Sequence, residues 1–197
     1  MKEKRMKAVS MLPEGYREIY SVDLKNDKKK LLLVNALAIA IGVIMVVPML
    51  FVVPISALFS MEKGLGSYAL RFLAMLVMLV AYIVLHEVVH GIAMKACGTE
   101  KVKYGFTGVY AFAGSDDYYG KKAYIFIALA PVVLWGVVIA AINPFVSAEW
   151  FWVVYIIQIC NISGAAGDLY VTLRFLRLPR DILVRDCGVS MSVYSKA

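Results

Sequence analysis

Residues 72–94, with the sequence FLAMLVMLVAYIVLHEVVHGIAM, decide the fold. A helix needs about 20 mostly apolar residues to cross a bilayer, and this stretch is long enough. Its acidic and basic side chains are His86, Glu87 and His90, which lie together towards its C-terminal end. Such side chains are costly within a membrane and usually mark a functional site there. The stretch therefore predicts a transmembrane helix that carries polar chemistry.

Three further apolar runs have a similar length. They cover residues 31–59, which Pro48 and Pro54 interrupt, residues 123–142 and residues 150–173. Across the 197 residues, 61% are hydrophobic, which is typical of a membrane protein. We therefore predict an all-α membrane protein with four transmembrane helices.

The distribution of positive charge predicts the orientation of these helices. Lys and Arg are concentrated in residues 1–30, in residues 95–122 and after residue 173, whereas the other two connections supply only Lys63 and Arg71. Positive residues collect on the cytoplasmic side of membrane proteins. Both termini are therefore predicted to be cytoplasmic in a multi-pass protein of the cell membrane. The net charge of +7 needs no nucleic acid to explain it.

These features divide the chain into three parts. We predict a basic cytoplasmic arm at residues 1–30, a four-span membrane domain at residues 31–175, and a cytoplasmic tail at residues 176–197. Residues 70–175 hold the functional motifs and form the core of the membrane domain.

The motif His86-Glu87-Val88-Val89-His90 predicts a zinc site. Residues four apart share one face of a helix, so both imidazoles can bind one ion. The pattern H-E-x-x-H is typical of zinc metalloproteases, in which the glutamate acts as general base. The alternative is that the two histidines form hydrogen bonds between membrane helices.

Asp168 is the candidate third ligand, because it is the remaining ionisable residue within the spans. His86 and His90 precede Lys95 by a helix rise of ~13 and ~7 Å, and Asp168 precedes Arg174 by ~9 Å. The three side chains thus lie at a similar depth, nearer the cytoplasmic side. Catalytic zinc usually has three protein ligands and one water. We therefore predict one Zn²⁺ per chain; a structural polar contact or a proton relay is the alternative role of Asp168.

With these motifs the chain resembles the site-2 protease family of intramembrane metalloproteases over roughly residues 70–175. It resembles still more closely a family of small bacterial and archaeal membrane proteins described as zincin peptidases, formerly a domain of unknown function. The site-2 pattern N-x-x-P-x-x-x-x-D-G corresponds here to residues 161–169, NISGAAGDL, with Gly164 in place of the proline and an aspartate one residue closer. Ala130-Pro131 resembles a Gly-Pro or Ala-Pro pair in that family.

Asn161 is a candidate substrate-binding residue, since it lies two helical turns before Asp168. Its amide could donate a hydrogen bond to the substrate backbone or to the developing oxyanion. A polar contact between helices is the alternative.

Residues 101–106 and 109–112 are β-prone segments around Thr107-Gly108, which predicts a short β-hairpin-like cytoplasmic insertion between helices 2 and 3. Site-2 proteases carry a β-element at this place, and its free edge could accept an extended substrate. The alternative is an aromatic-rich interfacial loop.

Together these patterns predict an enzyme, a zinc metallopeptidase of the H-E-x-x-H type. Its expected partners are the lipid bilayer and a membrane-protein or peptide substrate, with no nucleic acid. The main alternative is a non-catalytic zinc-binding membrane scaffold or regulator, which would not need Glu87. A metal or proton transporter is disfavoured by the small number of spans and the lack of a repeat.

Overall fold

The computed structural model describes residues 7–23, 26–108, 110–188 and 190–196. Parts of the predicted arm and tail, and Val109 of the predicted hairpin, lie outside these described residues.

Within the described residues, four helical segments are long and apolar enough to cross a membrane. They are α1 (Lys28–Leu50), α2 (Gly64–Ala96), α3 (Lys121–Ile142) and a fourth segment made of α4 (Ala148–Gly164) and α5 (Ala166–Leu176). This confirms the four apolar helices of the predicted fold class. None of the residues of α1 is buried, which suits a helix surrounded by lipid.

The first apolar run is interrupted, as its prolines predict. α1 continues through Pro48 and ends at Leu50, and a 3-10 turn follows at Ile55–Phe59. Pro54 precedes this turn in an extended conformation, with φ −61° and ψ 138°. The connection therefore begins at residue 51, and Pro54, which has no backbone N–H to continue a helix, lies within it.

The fourth run is not one continuous helix. Ala165 separates α4 from α5, with φ −83° and ψ 17°. Glycine is a poor helix former, and Gly164 and Gly167 flank this break. As a result Asp168 lies in the first turn of α5, where the helix dipole favours a negative charge.

A four-stranded antiparallel sheet joins segments that are distant in sequence. Its strands are β1 (Tyr16–Val22), β4 (Tyr118–Gly120), β5 (Leu183–Asp186) and β6 (Met191–Lys196), in the spatial order β1-β6-β5-β4. The expectation of an all-α protein with one hairpin was therefore incomplete. These strands are short and lie in polar segments, so they give a weak signal beside the apolar helices.

The predicted hairpin between α2 and α3 is present. Strand β2 (Lys103–Phe106) pairs antiparallel with β3 (Ala111–Gly114), with Tyr104 opposite Ala113. Gly108 in the connecting loop has φ +88°, a conformation that glycine adopts without strain. This confirms the hairpin rather than the irregular loop.

The chain forms two compact units, of which the first contains residues 1–34, 86–131 and 167–197. In this unit the four-stranded sheet packs against the end of α2, the first half of α3, and α5. The shared core includes Met94, Tyr119, Tyr124, Phe175 and Val184. All three candidate zinc ligands belong to this unit.

The second unit contains residues 35–85 and 132–166. Trp152 and Tyr155 of α4 are buried in it, and their polar atoms donate to the carbonyls of Val53 and Met45. Arg71 of α2 is fully buried and pairs with Glu149 at 2.7 Å. These contacts join α4 to α1, to the connection after α1, and to α2.

Candidate metal centre

The first two candidate ligands come from one face of α2. His86 and His90 lie one helical turn apart, and the centroids of their rings are 4.9 Å apart with an angle of 77° between the ring planes. Their side chains are each only 11% exposed. Two imidazoles are therefore held edge to face within the protein.

Asp168 meets both imidazoles from α5. Its Oδ2 lies 3.8 Å from Nε2 of His86 and 3.8 Å from Nε2 of His90. The ligand atoms of these three residues all lie within 4.8 Å of one another. The structure thus brings together the three side chains that the sequence singled out, although their role as ligands stays a prediction.

The arrangement suits a zinc ion. Ligand atoms in a tetrahedral site are about 3.3–3.6 Å apart, given bonds of about 2.0–2.2 Å. The observed distances of 3.8 Å and, at most, 4.8 Å therefore require closures of about 0.2–1.5 Å. Two imidazoles and one carboxylate are also a donor set that zinc accepts, and three protein ligands leave one position for water. The residues present therefore fit the metal that the motif implies.

His90 is oriented by a hydrogen bond behind its metal-facing nitrogen. Its Nδ1 lies 2.9 Å from the carbonyl oxygen of Ile127 in α3. A carbonyl can only accept, so Nδ1 carries a proton, and in the neutral ring Nε2 then presents its lone pair. Metal-binding histidines typically have such a partner on the second nitrogen.

Glu87 faces a different part of the molecule, the hairpin. The backbone N–H of Ala113 in β3 lies close to its carboxylate. Pairs in an antiparallel hairpin alternate, and the amide of Thr107 bonds to the carbonyl of Tyr110 at 3.0 Å. The pair Tyr104–Ala113 is the third pair after this bonded pair, so it is a non-hydrogen-bonded pair. The N–H of Ala113 therefore points out of the hairpin. The hairpin therefore positions the candidate general base next to the ligands.

Close contacts hold this hairpin on α2 and on the sheet. The hydroxyl group of Tyr104 lies directly on the backbone of Gly91, where a side chain would collide with it. The amide of Ser115, just after β3, donates to the carbonyl of Asp186 in β5 at 2.8 Å. The hairpin thus bridges α2 and the four-stranded sheet.

Asp186 is a third acidic residue of this region, after Glu87 and Asp168, and the sequence did not single it out. Its carboxylate accepts hydrogen bonds from the hydroxyl of Tyr124 and, at 2.8 Å, from the amide of Gly188. Burial raises the pKa of Asp186, and the nearby negative charge of Asp168 raises it further. Asp186 lies in a short strand of the predicted tail, and nothing in the sequence indicated that it would be buried near Asp168.

Asn161 lies in the second unit, where its polar atoms already have partners. Its Nδ2 donates to the carbonyl of Val132 at 3.1 Å, and its Oδ1 accepts from the hydroxyl of Tyr82 at 3.1 Å. These are the contacts expected of a polar residue between helices. The substrate-binding role of Asn161 stays a prediction, because contacts between helices already account for both of its polar atoms.

Comparison with known proteins gives the following relationships. The sequence model of the family described as "Putative zincin peptidase" matches residues 78–183. The chain is 29% identical over 118 residues to an uncharacterized 24.7 kDa protein, in the gap 5' region, of Pyrococcus woesei. This match covers 57% of the chain and 51% of that protein, so the chain aligns with about half of its relative. No solved structure matches the chain significantly.

Proposed function

Because the chain belongs to the zincin peptidase family, we propose that it is an intramembrane zinc metallopeptidase similar to the site-2 proteases, which hydrolyses peptide bonds of membrane-associated substrates. One observation carries the proposal. His86, His90 and Asp168 converge within 4.8 Å, beside Glu87, inside helices of membrane-spanning length.

The residues of the site have distinct tasks in this proposal. Zinc bound by the three ligands would activate a water molecule and polarise the scissile carbonyl. Glu87 accepts the proton of the attacking water and later delivers it to the leaving amine. The N–H of Ala113 lies close to the Glu87 carboxylate, and the carbonyl of Ile127 accepts from Nδ1 of His90.

The hairpin also suggests how a substrate is held. Within the described residues, β2 pairs only with β3, so its outer edge has no neighbouring strand. Tyr104 and Phe106 on this strand are 53% and 70% exposed. Extended peptides commonly add to a free strand edge. β2 is therefore the proposed docking strand, and Tyr104 places it against Gly91 of α2.

The four-stranded sheet supports the proposed membrane topology. It combines β1 from the N-terminal segment, β4 from the connection before α3, and β5 and β6 from the C-terminal segment. Segments in one small sheet must lie on the same side of a membrane. They are the three segments that the positive charges assign to the cytoplasm, so both termini and the centre of the α2–α3 connection are proposed to be cytoplasmic.

Replacement of Glu87 by Gln tests the catalytic proposal. The purified full chain and its E87Q variant would be assayed for bound zinc and for cleavage of fluorescein-labelled casein in detergent. We expect E87Q to keep its zinc and to lose cleavage by at least about 100-fold, the lower range for removing a general base. The exposed Glu100, just after α2, provides a matched control variant, E100Q, which should keep both properties.

Two outcomes would contradict the peptidase. Full cleavage by E87Q would show that Glu87 is not the base. Zinc binding by the wild-type protein without cleavage of casein or of single-span peptides would favour the non-catalytic scaffold instead.

A further inference from the structure

The carbonyl group that orients His90 is unusual within its helix. In an α-helix the carbonyl of residue 127 normally accepts the N–H of residue 131. Here residue 131 is Pro131, which is fully buried inside α3. Proline has no N–H, and its ring presses against the carbonyl four residues earlier. Ile127 is therefore the residue whose carbonyl loses its usual helical donor because of Pro131.

The released carbonyl is the one that His90 uses. Nδ1 of His90 lies 2.9 Å from the Ile127 oxygen, and Nε2 of the same ring lies 3.8 Å from Oδ2 of Asp168. In the neutral ring, the bond to Ile127 therefore fixes both the ring orientation and the tautomer, with the lone pair on the nitrogen that faces Asp168.

We propose that Pro131 is a positioning residue of the metal centre, which keeps the Ile127 carbonyl free to accept the Nδ1–H of His90. This inference deepens the proposed function and rests on it for its catalytic meaning. Pro131 does not touch the substrate or the reacting atoms in this account; it acts through Ile127 and His90.

Replacing Pro131 by Ala would restore a competing donor. The new backbone N–H would draw the Ile127 oxygen back into line with the axis of α3 and away from His90. The Nδ1–H of a largely buried ring would then lose its acceptor, which is unfavourable. His90 would populate both tautomers, and one of them places a proton on the metal-facing nitrogen.

Ring ¹⁵N labelling of histidine measures this effect directly. The chain has two histidines, and both belong to the site, so the spectrum reports on the centre alone. Zinc-free full-length protein in detergent would be studied at about pH 8, where an ordinary imidazole is neutral. The signals would be assigned with the H86Q variant. We expect the wild-type His90 to be protonated at Nδ1 and unprotonated at Nε2.

The P131A variant should show a mixture of His90 tautomers. Its zinc affinity, measured by competition with a chelator, should fall about 10–100-fold, as expected for loss of a partner behind a metal ligand. P48A is the matched control, because Pro48 also lies inside an apolar helix but belongs to α1. It should leave the histidine spectrum and the zinc affinity unchanged. Circular dichroism of each zinc-free variant checks that it is folded.

The inference is overturned if wild-type His90 carries its proton on Nε2, a result that needs no variant to fold. It is also overturned if folded P131A keeps both the wild-type tautomer and the wild-type zinc affinity. Failure of the proposed function looks different: the wild-type protein would bind no zinc, while the tautomer of His90 would still depend on Pro131.

Discussion

A substitution at Gly114 tests how the β2–β3 hairpin is placed against the turn between β5 and β6. An added Cβ at this position would lie 2.5 Å from the carbonyl carbon of Cys187 and 2.6 Å from the amide nitrogen of Gly188. Both neighbours are backbone atoms of the turn between β5 and β6, so neither can rotate away. Gly114 lies between Ala113, whose N–H is close to the Glu87 carboxylate, and Ser115, whose N–H donates to the backbone carbonyl of Asp186.

Gly114→Ala should therefore separate the hairpin from the turn. Ordinary contact begins at about 3.4 Å, so the two backbones must move apart by about 0.9 Å, the difference from the present 2.5 Å. Such overpacking costs about 1–3 kcal/mol. A shift of about 1 Å in a positioning element can lower catalysis by about 100-fold. We expect both effects, because the amide of Ala113 moves with Gly114.

The assay compares unfolding temperature and casein cleavage in zinc-loaded protein. The predicted loss of stability corresponds to a fall in Tm of roughly 2–12 °C for a chain of this size. Gly66→Ala is the matched control, since nothing lies within 4 Å of a Cβ there and alanine is the better helix former. A G114A protein with wild-type Tm and wild-type cleavage would refute the placement of the hairpin.

Three further variants test other contacts by thermal unfolding. Arg71→Ala should cost about 3 kcal/mol, because it leaves the largely buried Glu149 without its closest partner; an unchanged Tm would argue against this pair. Tyr124→Phe should cost about 1–3 kcal/mol by removing a donor to Asp186; a wild-type Tm in this variant would argue against the bond. Two basic partners lower the pKa of Asp116 below 3.8, so its stabilising effect is lost as the pH falls through that lowered pKa. Wild type should therefore exceed Asp116→Asn in Tm at neutral pH and converge with it in acid; a constant difference would contradict the ion pairs.

The helices and the grouping of the polar side chains could be predicted from the sequence. Apolar length alone indicates the four helices. The four-residue spacing of His86 and His90 places them on one face, and the distances to Lys95 and Arg174 place Asp168 at a similar depth. These inferences use only the geometry of a single helix and the boundary of the membrane, so they need no knowledge of tertiary packing.

Contacts between distant segments could not be predicted in the same way. The approach of Ala113 to Glu87 depends on how the hairpin folds back onto α2, and the bond from Tyr124 to Asp186 depends on the position of β5. The strands of the four-stranded sheet are short, and their partners are far away in the chain. A pattern within one segment does not carry that information.

The role proposed for Pro131 could be predicted from the sequence only in part. The sequence shows a proline within an apolar run, and helix geometry identifies Ile127 as the residue whose carbonyl it releases. Only the structure shows that His90 uses this carbonyl. A buried proline in a membrane helix therefore predicts a free carbonyl, while its partner must be found from tertiary contacts.

Metal analysis of the purified protein tests the central claim most directly. The wild-type chain should contain one zinc per molecule, and both Asp168→Ala and His90→Ala should lose it, because each removes one of three ligands. Retention of a full equivalent of zinc by the Asp168→Ala variant would show that α5 does not complete the site. That result would contradict the account.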